Sequence, residues 1–579
     1  MIDLLPIYMK NQELSHLFSQ LATYLEIQEV PFKPQAFLKV ADTLETLGED
    51  VDKIYKREGL KGLEDIPGVG QGIAGKIEEY LKTGIIKELK AHKKKMPVDI
   101  EGLTLVEGIG PKMVKELWQY LKVKNLKDLE RVAKAGKIQK LPGFGAKKEQ
   151  NILEAIAFLK KSQGKWLLGE IYPIAQRYVD ELKSSGLVKQ AVPAGSLRRM
   201  KETIGDVDIL ITTRKPQKVM DFFVHMIPHE KVWGKGNTKT SLRSKEGFDV
   251  DVRVVEENVF GAALQYFTGS KEHNVNVRTL AAKKGFKLSE YGLFKGKKLI
   301  ACKTEHAVYK ALGMAEPAPE LREDRGEVEA ALKGNLPNLI AFGSLKGDLQ
   351  VQTNWTDGKH SIEEMAKEAK KQGLEYIAIT DHTRDLAMVG GSDEKKLSQQ
   401  MKEIDRVQKK VSGIKILKGA EVNIRKNGTL DIADTVLARL DVVGISVHSN
   451  FKMTQKDMTE RIVRAMRNPH VDILFHPTGR VLLARNAYEV DMNRIIQEAK
   501  RTKTVLEINA SKRMDLKDIY IKQAVEDGAK LVIDSDAHHK DHFQFLKYGI
   551  AQARRGWATA SDVVNTKDVS GFLHSLKKN

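Results

Sequence analysis

Asp206 and Asp208 stand two residues apart in GSLRRMKETIGDVDILI (195–211), at the head of an alternating apolar run that reads as a strand, so both carboxylates leave one face of it. Two carboxylates so placed repel unless a cation lies between them, and a third, Asp251, arrives from a second strand-like Asp-x-Asp, DVDVRVVE (249–256). Three carboxylates can hold two Mg²⁺ ions, a pair that activates an attacking hydroxyl and stabilises a leaving pyrophosphate. Ser196 and Arg199, just upstream, are positioned to grip triphosphate oxygens. The chemistry is nucleotidyl transfer. Alternating acids on a solvated strand are the plain alternative, common for one Asp-x-Asp and less so for two preceded by Gly-Ser.

A second set of chemistry-bearing residues lies between 336 and 579. There, apolar strand-like runs end in metal-type ligands: IAITDHT (377–383), KGAEVNI with Glu421, GISVHSN (444–450), ILFHPTG (473–479) and LVIDSDAHH (531–539). A lone histidine is more often structural than a ligand. Five clusters, each following a strand, match the way a barrel presents ligands from strand C-termini into one mouth. The strand DLQVQT (348–353) opens this region and places Gln350 and Gln352 on one face, two amides among imidazoles and carboxylates. They read as a substitution in a metal site.

A third pattern repeats in the first half. IPGVG (66–70), VEGIG (106–110) and LPGFG (141–145) each sit between helical periodicities and precede a basic, helix-forming stretch. Glycines there allow a tight hairpin and aim bare backbone N–H groups outward at a helix start, a seat for DNA phosphates: Gly68 and Gly70, Gly108 and Gly110, Gly143 and Gly145. GQGIAG (70–75) also matches a dinucleotide fingerprint and nearly a P-loop. It follows no strand, and Ile77 stands after Lys76 where a P-loop needs Ser or Thr.

The elements that must carry these residues follow from texture. Residues 1–90 and 91–165 read as all-helical, 166–260 as β-rich with helices between, and 261–315 as a smaller unit. AEPAPELREDRGE (315–327), Pro-rich and charged, reads as a linker over 316–335. Beyond it, strands alternate with amphipathic helices, the rhythm of an α/β domain with a parallel sheet. At 579 residues, 41% of them apolar, the chain is too long for a single core. One cysteine, Cys302, excludes an intrachain disulfide, and with no membrane-length apolar run or leader the expected compartment is the cytoplasm. The net charge of +19 favours a polyanionic partner, and residues 51–200 alone carry 30 Lys and Arg against 18 Asp and Glu.

Taken together, Gly-Ser-x-Arg-Arg, Gly-Asp-x-Asp, Asp251-Val252-Arg253 and YFTGS (266–270) resemble the family X DNA polymerases, and with the hairpins and the C-terminal domain the chain is similar over its whole length to the bacterial PolX group. The resemblance implies a multidomain α+β and α/β protein: helix-hairpin-helix lyase-type domain and fingers, nucleotidyltransferase palm with thumb, then a TIM-like seven-stranded PHP barrel. It implies templated gap filling in base-excision repair on gapped or nicked DNA with a 5′-phosphate, using deoxynucleoside triphosphates and Mg²⁺ or Mn²⁺. Asp206, Asp208 and Asp251 become the metal ligands, and Ser196, Arg199 and Gly205 the triphosphate contacts. Tyr266, Phe267 and Gly269 line the sugar pocket, Asn274 meets the incoming base and Arg278 the template strand. Lys76 takes the position of the lyase nucleophile, although Gly72 and Phe37 replace a lysine and a tyrosine of the animal pattern; that weighs against a lyase step while leaving 5′-phosphate binding.

For the barrel, the resemblance to PHP phosphoesterases implies up to three metals and a Mn²⁺-dependent 3′→5′ exonuclease. Asp357, His382, Glu421, His448, His476, Asp536 and His538 match ligand positions for Mn²⁺ or Zn²⁺. The family's first motif, Asp-Leu-His-x-His-Thr, stands here as DLQVQT, so Gln350 and Gln352 replace both of its histidines. An amide oxygen is a poorer donor than imidazole, so an incomplete site and a weakened or absent nuclease are expected. A loosely held Mn²⁺ is the alternative. A monomer with no membrane partner is expected. Two other readings stand beside the polymerase: a non-catalytic gap or end binder, and a PHP phosphoesterase tethered to DNA.

Overall fold

The computed structural model describes residues 9–28, 30–45, 47, 49–104, 106, 109–142, 144–162 and 164–577. The chain divides into two compact units, Met1–Gln163 and Gly164–Asn579. No helix among the described residues is long and apolar enough to cross a membrane.

The first unit is helical throughout. One continuous apolar core, from Leu14 and Phe18 through Leu63, Ile77 and Leu117 to Ile156, joins the two helical segments. The hairpin between helices Val51–Glu64 and Gln71–Thr83 turns at Gly68, whose φ of +85° a side chain would strain. Asn125 caps the helix Leu126–Lys134 by accepting from the Asp128 N–H at 2.9 Å.

The second unit begins with a five-stranded sheet in the order Gln190–Pro193, Asp206–Thr212, Asp249–Val254, Lys239–Ser244, His229–Lys235. Only the central pair, Asp206–Thr212 with Asp249–Val254, runs parallel. Val207, Ile209 and Ile211 bury one face of the central strand, which leaves Asp206 and Asp208 on the other. A smaller body follows, with helices Phe260–Thr268, Lys271–Lys283 and Glu305–Ala311 packed on a three-stranded antiparallel sheet. Its apolar core includes Val277, Leu293, Val308 and Leu312, and a buried polar group stands with it: His273 Nδ1 donates to Glu327 Oε1 at 2.6 Å and Nε2 accepts from Tyr309 Oη at 2.9 Å.

The stretch 315–327, expected from its composition as a linker, is instead packed. Arg322 is 0% exposed and bonds Glu305, Glu320 meets Arg554, and Glu327–Lys333 forms a helix. Its charges are matched by partners rather than solvated, which composition alone cannot distinguish.

The expected barrel is present. Seven parallel strands follow in sequence order, Gly347–Val351, Tyr376–Ile379, Lys415–Asn423, Val442–Ser446, Ile473–Leu474, Val505–Asn509 and Leu531–Asp534. A Val351–Ala537 bridge, with Gln352 N–H donating to Ala537 O at 2.8 Å, nearly closes the ring. Leu417, Ile473, Val505 and Val532 cluster with Phe475 at one end of the interior. Further along the same strand faces, by the two-residue period, stand the buried Glu421, Glu507 and Asp534. The barrel thus carries its polar residues toward the strand C-termini. Met514, Tyr548 and Ala551 of the barrel also join the apolar core beneath the five-stranded sheet, so sheet and barrel share packing.

Candidate active sites of the palm and the barrel

Parallel register sets Asp208 directly opposite Asp251 and Asp206 opposite Asp249. Gly195, at φ +58°, lies against Asp208: a Cβ there would meet Asp208 Oδ2 at 2.6 Å, which is why the turn before the strand needs glycine. Burial first, then the charges of Asp206 and Asp251, push the Asp208 carboxyl up to about 6. Among the described residues the three carboxylates do not form a close-set ligand group, and Asp251 Oδ2 takes the Lys239 ammonium at 2.5 Å. Such a set fits divalent ions: acids crowded on one sheet face relieve repulsion by recruiting a cation, here the nearest lysine. Ser196 sits in the single turn Gly195–Arg198, and Gly205 lies exposed just before Asp206. Arg199 is 8% exposed; its Nε donates to Glu323 Oε1 at 2.9 Å and its Nη1 to the Thr268 carbonyl.

Tyr266 and Phe267 pack edge to face at 5.1 Å at the end of helix Phe260–Thr268, with Arg253 over the Phe267 ring at 4.5 Å. A Cβ on Gly269 would stand 3.0 Å from Arg199 Nη1, so this glycine makes room for the guanidinium. Asn274 is nearly buried, accepting from Gln265 Nε2 at 2.8 Å and donating to the Tyr266 carbonyl at 2.7 Å. Arg278 Nε donates to the Asn274 carbonyl at 3.3 Å.

In the helical unit, Gly70 and Gly110 occupy the N-cap positions of helices Gln71–Thr83 and Pro111–Leu121, and neither helix start is capped by a side chain. Gly145 precedes the helix Ala146–Ser162. Added Cβ atoms at all three would meet nothing within 4 Å, so the Cα of each glycine faces open space on that side. Gly108 and Gly143 lie outside the described residues. Lys76 Nζ is engaged with Glu88 Oε2 at 2.7 Å.

The barrel mouth gathers the expected ligand residues into two groups. Asp357 Oδ2 lies 3.6 Å from His382 Nε2 and 3.4 Å from His538 Nε2. Glu421 is shared by His382 Nδ1 at 3.3 Å, His448 Nε2 at 3.1 Å and His476 Nε2 at 2.9 Å. Outer hydrogen bonds aim the rings: His448 Nδ1 donates to Asn423 Oδ1 at 2.7 Å and His538 Nδ1 to the Asp536 carbonyl at 2.8 Å, leaving each Nε2 as a donor atom for a metal. His476 and Asp536 hold left-handed backbone, φ +28° and +54°, strain of the kind that clusters at functional sites. Asp357 with His382 and His538, and Glu421 with His382 and His448, each bring donor atoms close enough together to hold a metal ion.

The position between the glutamines does not fit one. Gln352 Nε2 donates to Glu421 Oε2 at 2.8 Å, Gln350 Oε1 accepts from Asn509 Nδ2 at 3.0 Å, and Asp536 Oδ2 faces Arg513 Nε at 3.5 Å. Amide N–H groups of Gln352 and Asn509 and the Arg513 guanidinium thus face oxygens of Glu421, Gln350 and Asp536 that a metal would otherwise use. Gln350 Nε2 and Gln352 Oε1 are buried without partners.

Asn423, Asn509 and Arg513 were not singled out from sequence. Asn423 was findable, because it follows Glu421 by two on the same strand. Asp381, expected among the ligand clusters, faces away: it accepts from Thr353 N–H at 2.8 Å, Thr356 Oγ1 at 2.7 Å and Gln400 Nε2 at 2.6 Å, bracing the loop that presents Asp357. A cavity of about 600 Å³ is lined by Asp536 and His538 together with acidic Glu170 and Glu202, basic Lys512 and Arg513, and apolar Leu167 and Leu168.

Comparison with known proteins matches four stretches of the chain. Residues 9–86 match a helix-hairpin-helix domain, 100–157 a SAM-like helix-hairpin-helix tandem, 263–323 the DNA polymerase beta thumb and 348–568 the PHP domain. The DNA polymerase/3′-5′ exonuclease PolX of Bacillus subtilis (strain 168) is 35% identical over 574 residues, covering 98% of this chain and 99% of that one. A probable phosphatase of Thermoanaerobacter sp. (strain X514) is 30% identical over 229 residues, 38% of this chain and 88% of the relative. With one relative aligned over nearly its whole length and four domain matches along the chain, the chain belongs to the PolX family of DNA polymerases that carry a C-terminal PHP domain.

Proposed function

We propose that the chain fills short gaps in DNA by adding templated deoxynucleotides to a primer 3′-hydroxyl, with residues 1–90 and 91–165 holding the DNA, 166–260 and 261–315 forming palm and thumb, and 336–579 a PHP domain of weakened nuclease activity. The observation that carries the reading is Asp208 opposite Asp251 on two parallel strands, with Gly195 packed against Asp208. Asp206, Asp208 and Asp251 would hold Mg²⁺ or Mn²⁺, which when bound supplies hydroxyl activation and charge neutralisation on the leaving pyrophosphate. Lys239, now on Asp251, would be displaced from it when the carboxylate holds an ion. Ser196, Gly205 and Arg199 hold the triphosphate, and Tyr266 and Phe267 crowd a 2′-hydroxyl, favouring deoxynucleotides. Asn274 and Arg278 contact the base pair from the thumb side.

In the barrel, the groups around Asp357 and Glu421 would each hold Mn²⁺ or Zn²⁺, while the glutamine pair leaves the third position without a suitable donor set. The supporting observation is the Gln352–Glu421 hydrogen bond, which ties up a carboxylate oxygen. The test is a 5′-labelled primer in a one-nucleotide gap with a 5′-phosphate, incubated with Mn²⁺ and with or without deoxynucleotides. Extension by one nucleotide, with no shortening when deoxynucleotides are left out, is expected. Shortening that persists in Asp206→Ala/Asp208→Ala protein would contradict the reading of the barrel.

A further inference from the structure

Arg199 is held from two directions. Its guanidinium is fixed by Glu323 Oε1 and the Thr268 carbonyl, and its own carbonyl oxygen accepts from Arg555 Nη1 at 2.9 Å. The same Arg555 nitrogen donates to Glu323 Oε1 at 3.0 Å, so one carboxylate oxygen is shared between a palm arginine and a barrel arginine. Arg555 ends the barrel helix Leu546–Arg555, is 3% exposed, and is anchored on its other edge to Asp518 Oδ2 through Nε at 3.1 Å and Nη2 at 2.7 Å. Arg325 Nη1 meets that same Asp518 oxygen at 3.0 Å. A planar fork used on both edges has little freedom, and neither do the groups it binds.

We propose that Arg555 of the barrel is a positioning residue for the polymerase nucleotide site, acting through Glu323 and the backbone of Arg199; the inference rests on the reading of Arg199 as a triphosphate contact. Glu323 competes with phosphate oxygens for Arg199. Arg555 draws part of that carboxylate's charge to itself and holds the Arg199 main chain, leaving the remaining guanidinium N–H groups available to the nucleotide. Without the Arg555 charge, Glu323 pairs with Arg199 alone and the Arg199 carbonyl loses its donor. Both changes weaken the same contact. The effect falls on nucleotide binding, because Arg555 touches neither the reacting atoms nor the carboxylate triad.

Single-nucleotide gap filling by the full chain tests this through the split between KM for the deoxynucleotide and kcat. Arg555→Met is expected to raise KM about tenfold, the scale of a lost hydrogen bond to a charged group, with kcat and gapped-DNA affinity within about twofold. Arg555→Lys, which keeps the charge and loses the fork, gives an intermediate KM. In a Glu323→Gln background, Arg555→Met adds less than it does alone, since the two act through one carboxylate. The control is Arg480→Met, which breaks a different palm–barrel contact, Arg480 Nη2 to Glu202 Oε2 at 2.8 Å, and leaves KM unchanged. An unchanged KM in Arg555→Met, or an equal rise in Arg480→Met, overturns the proposal. Should Arg555→Met fail to fold, Asp518→Asn, which removes the anchor of Arg555, must raise KM several-fold, and no rise overturns the proposal equally. Arg199→Lys separates the two claims: if it leaves KM alone, the reading of Arg199 fails, whereas a raised KM there with none in Arg555→Met sinks only the role of Arg555.

Discussion

Gln352 Nε2 donates to Glu421 Oε2 at 2.8 Å, and that same oxygen lies 3.3 Å from His382 Nδ1. An amide hydrogen therefore occupies one side of the carboxylate around which three histidines gather.

Gln350→His/Gln352→His is expected to add one bound metal ion per chain, measured by elemental analysis after dialysis, and to raise Mn²⁺-dependent 3′ shortening at least tenfold. Imidazole in place of the amides supplies lone pairs and frees Glu421. Unchanged metal content in a folded double variant would count against the glutamines being the defect.

Asp208→Ala is expected to lower single-nucleotide incorporation at least a hundredfold while gapped-DNA affinity stays within a few-fold of wild type. Asp208 faces Asp251 across the central strand pair, whereas the hairpin glycines lie in the other unit. Incorporation surviving in this variant would remove the palm carboxylates as the reaction centre.

Borohydride trapping on DNA with a 5′ abasic sugar is expected to give no covalent adduct in wild type. Lys76 Nζ is engaged by Glu88, and Gly72 supplies no neighbouring cation. An adduct that disappears in Lys76→Ala, at matched DNA binding, would establish the lyase step this prediction denies.

His273 gives the thumb an acid limit. Burial holds this imidazole below its ordinary 6.5, in the neutral tautomer that donates to Glu327 and accepts from Tyr309. Burial also opposes the Glu327 charge, but the His273 hydrogen bond and backbone donors outweigh it and keep that carboxyl below its ordinary value. The unfolded chain therefore binds more protons than the folded one as pH falls through 6.5, and stability drops. Hydrogen exchange in helix Lys271–Lys283, corrected for intrinsic rates, should lose protection between pH 7.5 and 5.5, and His273→Gln should flatten the change. Equal protection at both values in wild type would falsify this account.

Much of the site was readable because it follows short periods. Asp206 and Asp208 share a face by the two-residue repeat of a strand, and the barrel ligands announce themselves at the ends of apolar runs. Asp381 shows the limit: it sits in the same motif as His382, yet its carboxylate bonds Thr353, Thr356 and Gln400. Which of two adjacent polar residues enters the mouth depends on where the strand ends. The charges of 315–327 mislead in another way, since Arg322 and Glu320 look solvated until Glu305 and Arg554 meet them.

By itself, the sequence singled out the candidate residues and determined which faces they share, because helix and strand periods are local. The tertiary structure alone decided their partners: Lys239 on Asp251, Gln352 on Glu421, and Arg555 bridging Glu323 to Arg199 from the far end of the chain. Such pairs span from twelve to more than three hundred residues with no repeat to announce them, and only closure of the sheet and barrel brings opposite charges and hydrogen-bonding groups to within 3 Å or so.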